Sequence, residues 1–82
     1  MHRLDNGRPI REAMKRAGLN IQRLADKTRE ADPAGYGIKP ATIGHMVATG
    51  PSGRDRFEAR SCDLVARALE EPVEKFFGHT PT

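Results

Sequence analysis

The sequence predicts an all-α domain of five short helices, and three observations lead to this fold class. Apolar residues recur at spacings of three and four in successive short segments, as they do on one face of a helix. Prolines and glycines separate these segments, and no stretch has the alternating pattern of a strand. The chain has 82 residues, 37% hydrophobic and 30% charged, which suits one small soluble domain. We therefore expect a single domain over 1–82, with an ordered core over about 8–78 and a tail over 79–82.

The first predicted helix covers residues 9–17. Pro9 suits the first turn of a helix, Ile10 and Met14 lie on one side at helical spacing, and Gly18 provides a glycine stop. The side chain of the next polar residue, Asn20, has the chemistry of a helix cap.

The second predicted helix therefore covers residues 20–30. Its inward stripe is expected to consist of Ile21, Leu24, Ala25 and Thr28, which recur at helical spacing.

Residues 31–38 contain a proline and two glycines, so they predict a loop between the second and third helices. Within it, the ring of Tyr36 either covers the core, which we favour, or brings its hydroxyl to a phosphate. The third helix begins at Pro40, buries Ile43 and Met46, and extends to residue 49.

The fourth helix begins between residues 58 and 61, after a polar loop with two arginines, and ends at 70–71. Cys62 lies on its apolar side, which favours a buried packing thiol over a nucleophile. Pro72 begins a short fifth helix whose apolar residues include Phe76 and Phe77. No strand is expected.

Composition excludes several function classes. The single cysteine excludes an internal disulfide and, with three scattered histidines, a Cys/His zinc site, so a reducing cytoplasm is expected. No apolar run could form a signal peptide or a membrane span. No catalytic triad or phosphate-binding loop is present, so we expect neither an enzyme nor a cofactor.

Charge is unevenly distributed along the chain. The net charge is +4 over residues 1–30, +1 over 31–56 and −2 over 57–82, within a total of +3. A basic front and an acidic back suit a polyanion at one face, although an ordinary solvated surface would explain so small a total equally well.

The helices over 20–30 and 40–49 form a candidate helix-turn-helix, in which the second helix enters the major groove of DNA. The outer face of that helix has small or polar side chains near its N-terminus: Lys39, Ala41, Thr42 and His45. Its N-terminal backbone N–H groups would also suit a phosphate.

Residues 18–28, with the sequence GLNIQRLADKT, and residues 38–47, IKPATIGHMV, resemble the helix-turn-helix family of phage repressor and Cro proteins, also called XRE-like. Residues 62–77 are similar to that family's fourth and fifth helices, so the resemblance spans about 8–78. It implies a lambda-repressor-like bundle that binds double-stranded DNA. Two departures stand out: the family turn has three or four residues whereas this loop is longer, and Ile21 replaces a glutamine that anchors a phosphate in many members.

The resemblance also implies roles for individual residues. Base or adjacent phosphate contacts fall to Lys39, Ala41, Thr42 and His45. Contacts to the DNA backbone fall to Gln22, Arg23, Arg54, Arg56 and Arg60.

The function implied is a repressor or Cro-like transcriptional regulator that acts by occupying an operator, in the cytoplasm of a bacterial host cell. A homodimer on a pseudo-palindromic operator is expected, because one small domain offers a small footprint, and a weak dimer that assembles only on DNA is equally consistent. The expected dimer surface is formed by Val73, Phe76 and Phe77, with the core as the alternative for the two phenylalanines.

The alternative is an antitoxin-like or antirepressor-like module whose basic face binds an acidic protein. The long loop and the modest charge favour this alternative slightly. An excisionase-type architectural protein would need a wing of strands, which the sequence does not predict.

Overall fold

A computed structural model describes residues 1–50 and 53–79. These residues form four α-helices: α1 (Arg8–Ala17), α2 (Ile21–Ala31), α3 (Pro40–Val47) and α4 (Ala59–Ala68). Two strands, β1 (His2–Arg3) and β2 (Phe77–Gly78), pair antiparallel, and 3-10 turns occupy Asp5–Gly7 and Val73–Lys75. The prediction of a mostly helical fold is therefore confirmed.

The residues predicted to end α1 and to begin α2 have these roles in the structure. Gly18 follows α1 in the left-handed region, with φ of 68°, where glycine has no steric penalty. The side chain of Asn20 accepts a hydrogen bond from the backbone N–H of Arg23 at 2.8 Å, so it caps α2 as expected.

A single apolar core joins the four helices. Leu24 and Ala25 of α2 are buried, as are Ile43 and Met46 of α3. The small side chain of Ala25 therefore lies inside the fold, as the sequence predicted. Ile21, by contrast, is 37% exposed, so its predicted inward position is wrong: the buried part of α2 begins at its second turn.

Cys62 is fully buried in α4, which confirms that its thiol packs in the core. Burial raises the pKa of this thiol to about 11, because the charged thiolate would lose its hydration.

The loop between α2 and α3 is held by the carboxylate of Asp32, the residue that ends α2. Its oxygens accept hydrogen bonds from the backbone N–H groups of Ala34 (3.0 Å), Tyr36 (3.1 Å) and Gly37 (2.9 Å). This arrangement leaves the side chain of Tyr36 81% exposed. The favoured position of its ring over the core is therefore wrong.

A buried hydroxyl closes the same loop on the side of α3. The Thr28 hydroxyl donates to the carbonyl of Ala25 at 2.7 Å and accepts from the N–H of Ile38 at 2.9 Å. Gly37 lies against α2 with φ of +66°, and a Cβ there would lie 2.7 Å from the Cα of Arg29. The loop is therefore packed against the helix that precedes it.

The two ends of the described chain meet in the small sheet, which the sequence did not predict. His2 pairs with Gly78 and Arg3 with Phe77. Where a fifth α-helix was expected, the structure has the 3-10 turn Val73–Lys75 followed by β2, because pairing with β1 holds that segment extended.

The region before residue 8 also belongs to the fold, since Arg3 is buried. Of the predicted tail, only the exposed His79 lies among the described residues; the rest of it lies outside them.

Candidate nucleic-acid interface

The outer side of α3 lies opposite its buried residues Ile43 and Met46. Lys39, the N-cap residue, and Ala41 are exposed, and Thr42 and His45 are half-buried. A Cβ built on Gly44, the neighbouring glycine, would meet no atom within 4 Å, so this side of the helix is open. The helix ends at Val47, two residues before the predicted end, where Ala48 turns extended with ψ of 141°.

An open groove of about 710 Å³ runs from the start of α3 to the start of α4. Three cationic side chains and one carboxylate line it, together with two hydroxyl groups and one aromatic ring: Lys39, Thr42, Arg54, Arg56, Phe57, Glu58 and Ser61. Four of the predicted DNA-contacting residues therefore lie together: Lys39 and Thr42 on the wall at the start of α3, and Arg54 and Arg56 on the opposite wall. We call this surface the basic groove.

The N-termini of two helices border the basic groove. Lys39 precedes α3 and Glu58 precedes α4, and neither side chain accepts a hydrogen bond from the helix that it precedes. The positive ends of two helix dipoles thus lie beside the cationic side chains, which strengthens the attraction for an anion.

The arginines of the groove extend from a segment with defined backbone contacts. The Arg54 guanidinium lies 4.9 Å above the centre of the Phe57 ring, and the Arg54 N–H donates to the carbonyl of His45 at 3.2 Å. Arg56 forms an isolated β-bridge with His2. These contacts fix the backbone of Arg54 and Arg56, from which the two charged side chains extend, relative to the rest of the fold.

Gln22 and Arg23 lie exposed in the first turn of α2, outside the residues that line the basic groove. The side-chain amide of Gln22 donates to Asp26 at 3.2 Å. Their predicted contacts with the DNA backbone remain predictions.

Arg60 has a structural partner that the sequence did not reveal. Its guanidinium donates to the Asp32 carboxylate at 2.6 Å, and the Asp32 side chain is only 5% exposed. The backbone N–H groups of Gly37 and Ala34, with the charge of Arg60, hold the pKa of Asp32 below its ordinary value. Arg60 thus links α4 to the α2–α3 loop. The aspartate before a proline and glycines was the available signal, since aspartate often accepts hydrogen bonds in such turns.

The expected dimer surface is wrong at two of its three residues. Phe76 and Phe77 are 0% and 1% exposed, because the turn before β2 directs both rings into the core of the single chain. Val73 remains half-buried at the surface.

The sequence also did not reveal that two arginines from the N-terminal region bind the last carbonyls of α3. Arg3 donates to the carbonyls of Met46 (3.1 Å) and Ala48 (2.5 Å), and Arg11 donates to the carbonyl of Val47 at 2.8 Å. No local sequence signal points to these contacts, because the partners are more than 30 positions apart.

A scan against protein-family models matched none of them, and searches of curated proteins and of solved structures found no significant match. Among residues 1–50 and 53–79, no helix is both long and apolar enough to cross a membrane. Within the same residues, no group of three or more His, Cys, Asp or Glu side chains is arranged to hold a metal ion.

Proposed function

We propose that this chain is a sequence-specific double-stranded DNA-binding regulator of transcription, of the repressor or Cro type. It would occupy an operator as a homodimer in the cytoplasm of a bacterial cell. The helix-turn-helix of this proposal consists of α2, the long loop and α3.

The observation that carries the proposal is the basic groove. Lys39, Arg54 and Arg56 place three positive charges around the N-terminus of the helix that would read the bases. Phosphates bind such clusters mainly through charge, and the small side chains of Ala41 and Gly44 leave space for base edges beside them.

The first test is a titration of fluorescently labelled duplex DNA at several salt concentrations. Three phosphate contacts per chain predict a slope of log K against log[salt] of about −2.7 for each chain bound, from about −0.9 for each contact. Arg56→Met should make the slope shallower by about 0.9. The matched control is Arg67→Met, which removes the same charge from α4, outside the basic groove, where Arg67 pairs with Asp63 at 2.9 Å. A slope near zero, or an equal effect of the two variants, would refute the proposal.

Sequence preference is tested by selecting bound duplexes from a random library. Thr42→Ala or His45→Ala should weaken binding to the selected duplex by about 1–3 kcal/mol while sparing binding to random duplex. Equal losses on both duplexes would argue against base contacts by these residues.

A protein-interaction module is the second candidate, and the exposed ring of Tyr36 favours it. Tyr36 extends from a loop that Asp32 already holds in place, so little entropy would be lost when a partner covered the ring. Failure to bind any duplex at low salt would favour this candidate over the regulator.

A further inference from the structure

Arg3 of β1 is a buried cation whose side chain donates hydrogen bonds in two directions, to the end of α3 and to Asp55. Its side chain is 5% exposed. One terminal nitrogen, Nη1, donates to the carbonyls of His45 (3.3 Å), Met46 (3.1 Å) and Ala48 (2.5 Å), while Nε donates to the carboxylate of Asp55 at 3.0 Å. Burial of a guanidinium is costly unless it is paired in this way, so the contacts hold the side chain in place.

The first direction leads to the C-terminal end of α3. The last carbonyls of a helix have no partners within it and form the negative end of its dipole. Arg11 supplies a second guanidinium, which donates to the carbonyl of Val47 at 2.8 Å. Two cations from the N-terminal region thus bind four consecutive carbonyls, those of residues 45–48.

The second direction leads to the segment that carries the groove arginines. The backbone N–H of Arg3 donates to the carbonyl of Asp55 at 2.7 Å, in addition to the side-chain pair. Gly53 lies so close that a Cβ there would lie 2.7 Å from Nη2 of Arg3 and 2.5 Å from the carbonyl oxygen of Ala48. Residues 53–55 are therefore packed against both Arg3 and the end of α3.

These two directions correspond to two walls of the basic groove. Lys39 precedes α3 and Thr42 lies within it, whereas Arg54 and Arg56 belong to the segment after it. Arg3 bonds to both α3 and that segment without lining the groove. We infer that Arg3 is a positioning residue for nucleic-acid binding: it sets the separation between α3 and the groove arginines and has no contact with DNA itself. The inference rests on the proposed function.

The test compares Arg3→Met with the charge-matched control Arg67→Met on a random duplex of roughly 20 base pairs, about two half-sites. All titrations are made at a temperature where circular dichroism shows each variant to be folded. Arg3→Met should bind at least about tenfold more weakly, and its salt slope should be shallower by about 1.8 for each chain bound, because the phosphate contacts of Arg54 and Arg56 are both lost. Arg67→Met should change neither quantity by more than about twofold in affinity or about 0.3 in slope.

Arg3→Lys provides the conservative variant. Lysine keeps the charge, yet its single ammonium group cannot serve the carbonyls of α3 and Asp55 through one planar fork, so it should recover only part of the affinity. A purely stabilising role for Arg3 would leave the salt slope of folded Arg3→Met unchanged, and that result would overturn the inference.

Amide hydrogen exchange tests the positioning without DNA. The Arg54 N–H donates to His45 at 3.2 Å and the Ala48 N–H donates to Gly44 at 3.0 Å, and both should exchange at least about tenfold faster in Arg3→Met. Unchanged exchange at both amides would overturn the inference.

If Arg3→Met does not fold, Asp55→Ala takes its place, since the Asp55 side chain is 73% exposed and alanine removes the carboxylate to which Arg3 Nε donates. Faster exchange at Arg54 in this variant would support the inference, and wild-type exchange would overturn it. A wild-type protein that binds no duplex would refute the proposed function alone, because the exchange measurement still decides whether Arg3 positions the segment.

Discussion

Replacing the buried hydroxyl of Thr28 with a methyl group should destabilise the protein out of proportion to the change in shape. Thr28 is fully buried, and its hydroxyl is the acceptor for the N–H of Ile38, a residue that is itself 6% exposed. Valine has nearly the same volume but accepts no hydrogen bond. The Thr28→Val variant would therefore leave a buried N–H without this partner, at a cost of about 1–3 kcal/mol.

The expected cost converts into a shift of the melting temperature. For a domain of this size, each 1 kcal/mol lowers the midpoint by about 4–8 °C. Thermal and urea unfolding followed by far-ultraviolet circular dichroism would measure it, with an unchanged urea m-value showing that the folded state is equally compact. Thr28→Ser keeps the hydroxyl and loses one buried methyl group, so it should cost only about 0.5–1.5 kcal/mol.

The matched control for this series is Thr49→Val, because Thr49 is exposed. This control should change the free energy of unfolding by less than about 0.5 kcal/mol. A Thr28→Val protein as stable as wild type, or less affected than Thr28→Ser, would refute the reasoning. The result bears on the basic groove, because the bond from Ile38 fixes the chain just before α3.

Three further predictions concern the loop and the core. Because the folded-state pKa of Asp32 is held below 3.8, first by loop N–H groups and then by a cation, its stabilisation is complete above the unfolded-state pKa and disappears as pH falls through the folded-state value. The difference in unfolding midpoint between wild type and Asp32→Asn should thus shrink as pH falls below the ordinary aspartate pKa, and a constant difference would contradict this. The Cys62 thiol, with its pKa raised to about 11, should react with iodoacetamide at about pH 8 far more slowly in the folded than in the urea-unfolded protein; equal rates would show that the thiol is accessible. Gly37→Ala should destabilise more than Gly35→Ala: both residues have positive φ and incur about 1–2 kcal/mol, but only at Gly37 does the new Cβ collide with Arg29, and equal losses would be inconsistent with that contact.

Local chemistry made α1 and α2 predictable from the sequence. Gly18 and Asn20 stop and start helices through their own backbone and side-chain preferences, so their effects do not depend on distant residues. Leu24 and Met46 follow the same logic, because a helical period defines which side is buried.

The errors arise where distant partners decide the conformation. The sequence assigned Phe76 and Phe77 to a fifth helix, either in the core or on a dimer surface, whereas Phe77 pairs with β1, more than 70 positions earlier, and both rings are buried. The ring of Tyr36 was expected to cover the core, but it is exposed, and three backbone N–H groups of its loop donate to the Asp32 carboxylate.

For the candidate site, the sequence identified the groove residues on both walls, Lys39 and Thr42 on one side and Arg54 and Arg56 on the other. It could not identify Arg3, since an arginine near a chain end has the same local appearance whether it is solvated or buried. A hydrogen bond between residues more than 40 positions apart, such as that from Arg3 to the Met46 carbonyl, produces no repeating pattern of residues in a single sequence.

The pairing of His2 with Gly78 also constrains the order of folding. Contacts among α1 to α4 span shorter stretches of the chain than the sheet does and can form before it, but β1 can pair with β2 only when residues 77 and 78 are present. Closing so long a loop is slow relative to forming a helix. On a ribosome, the helices can therefore assemble while the chain is still being made, whereas the small sheet must wait until these residues have left the exit tunnel.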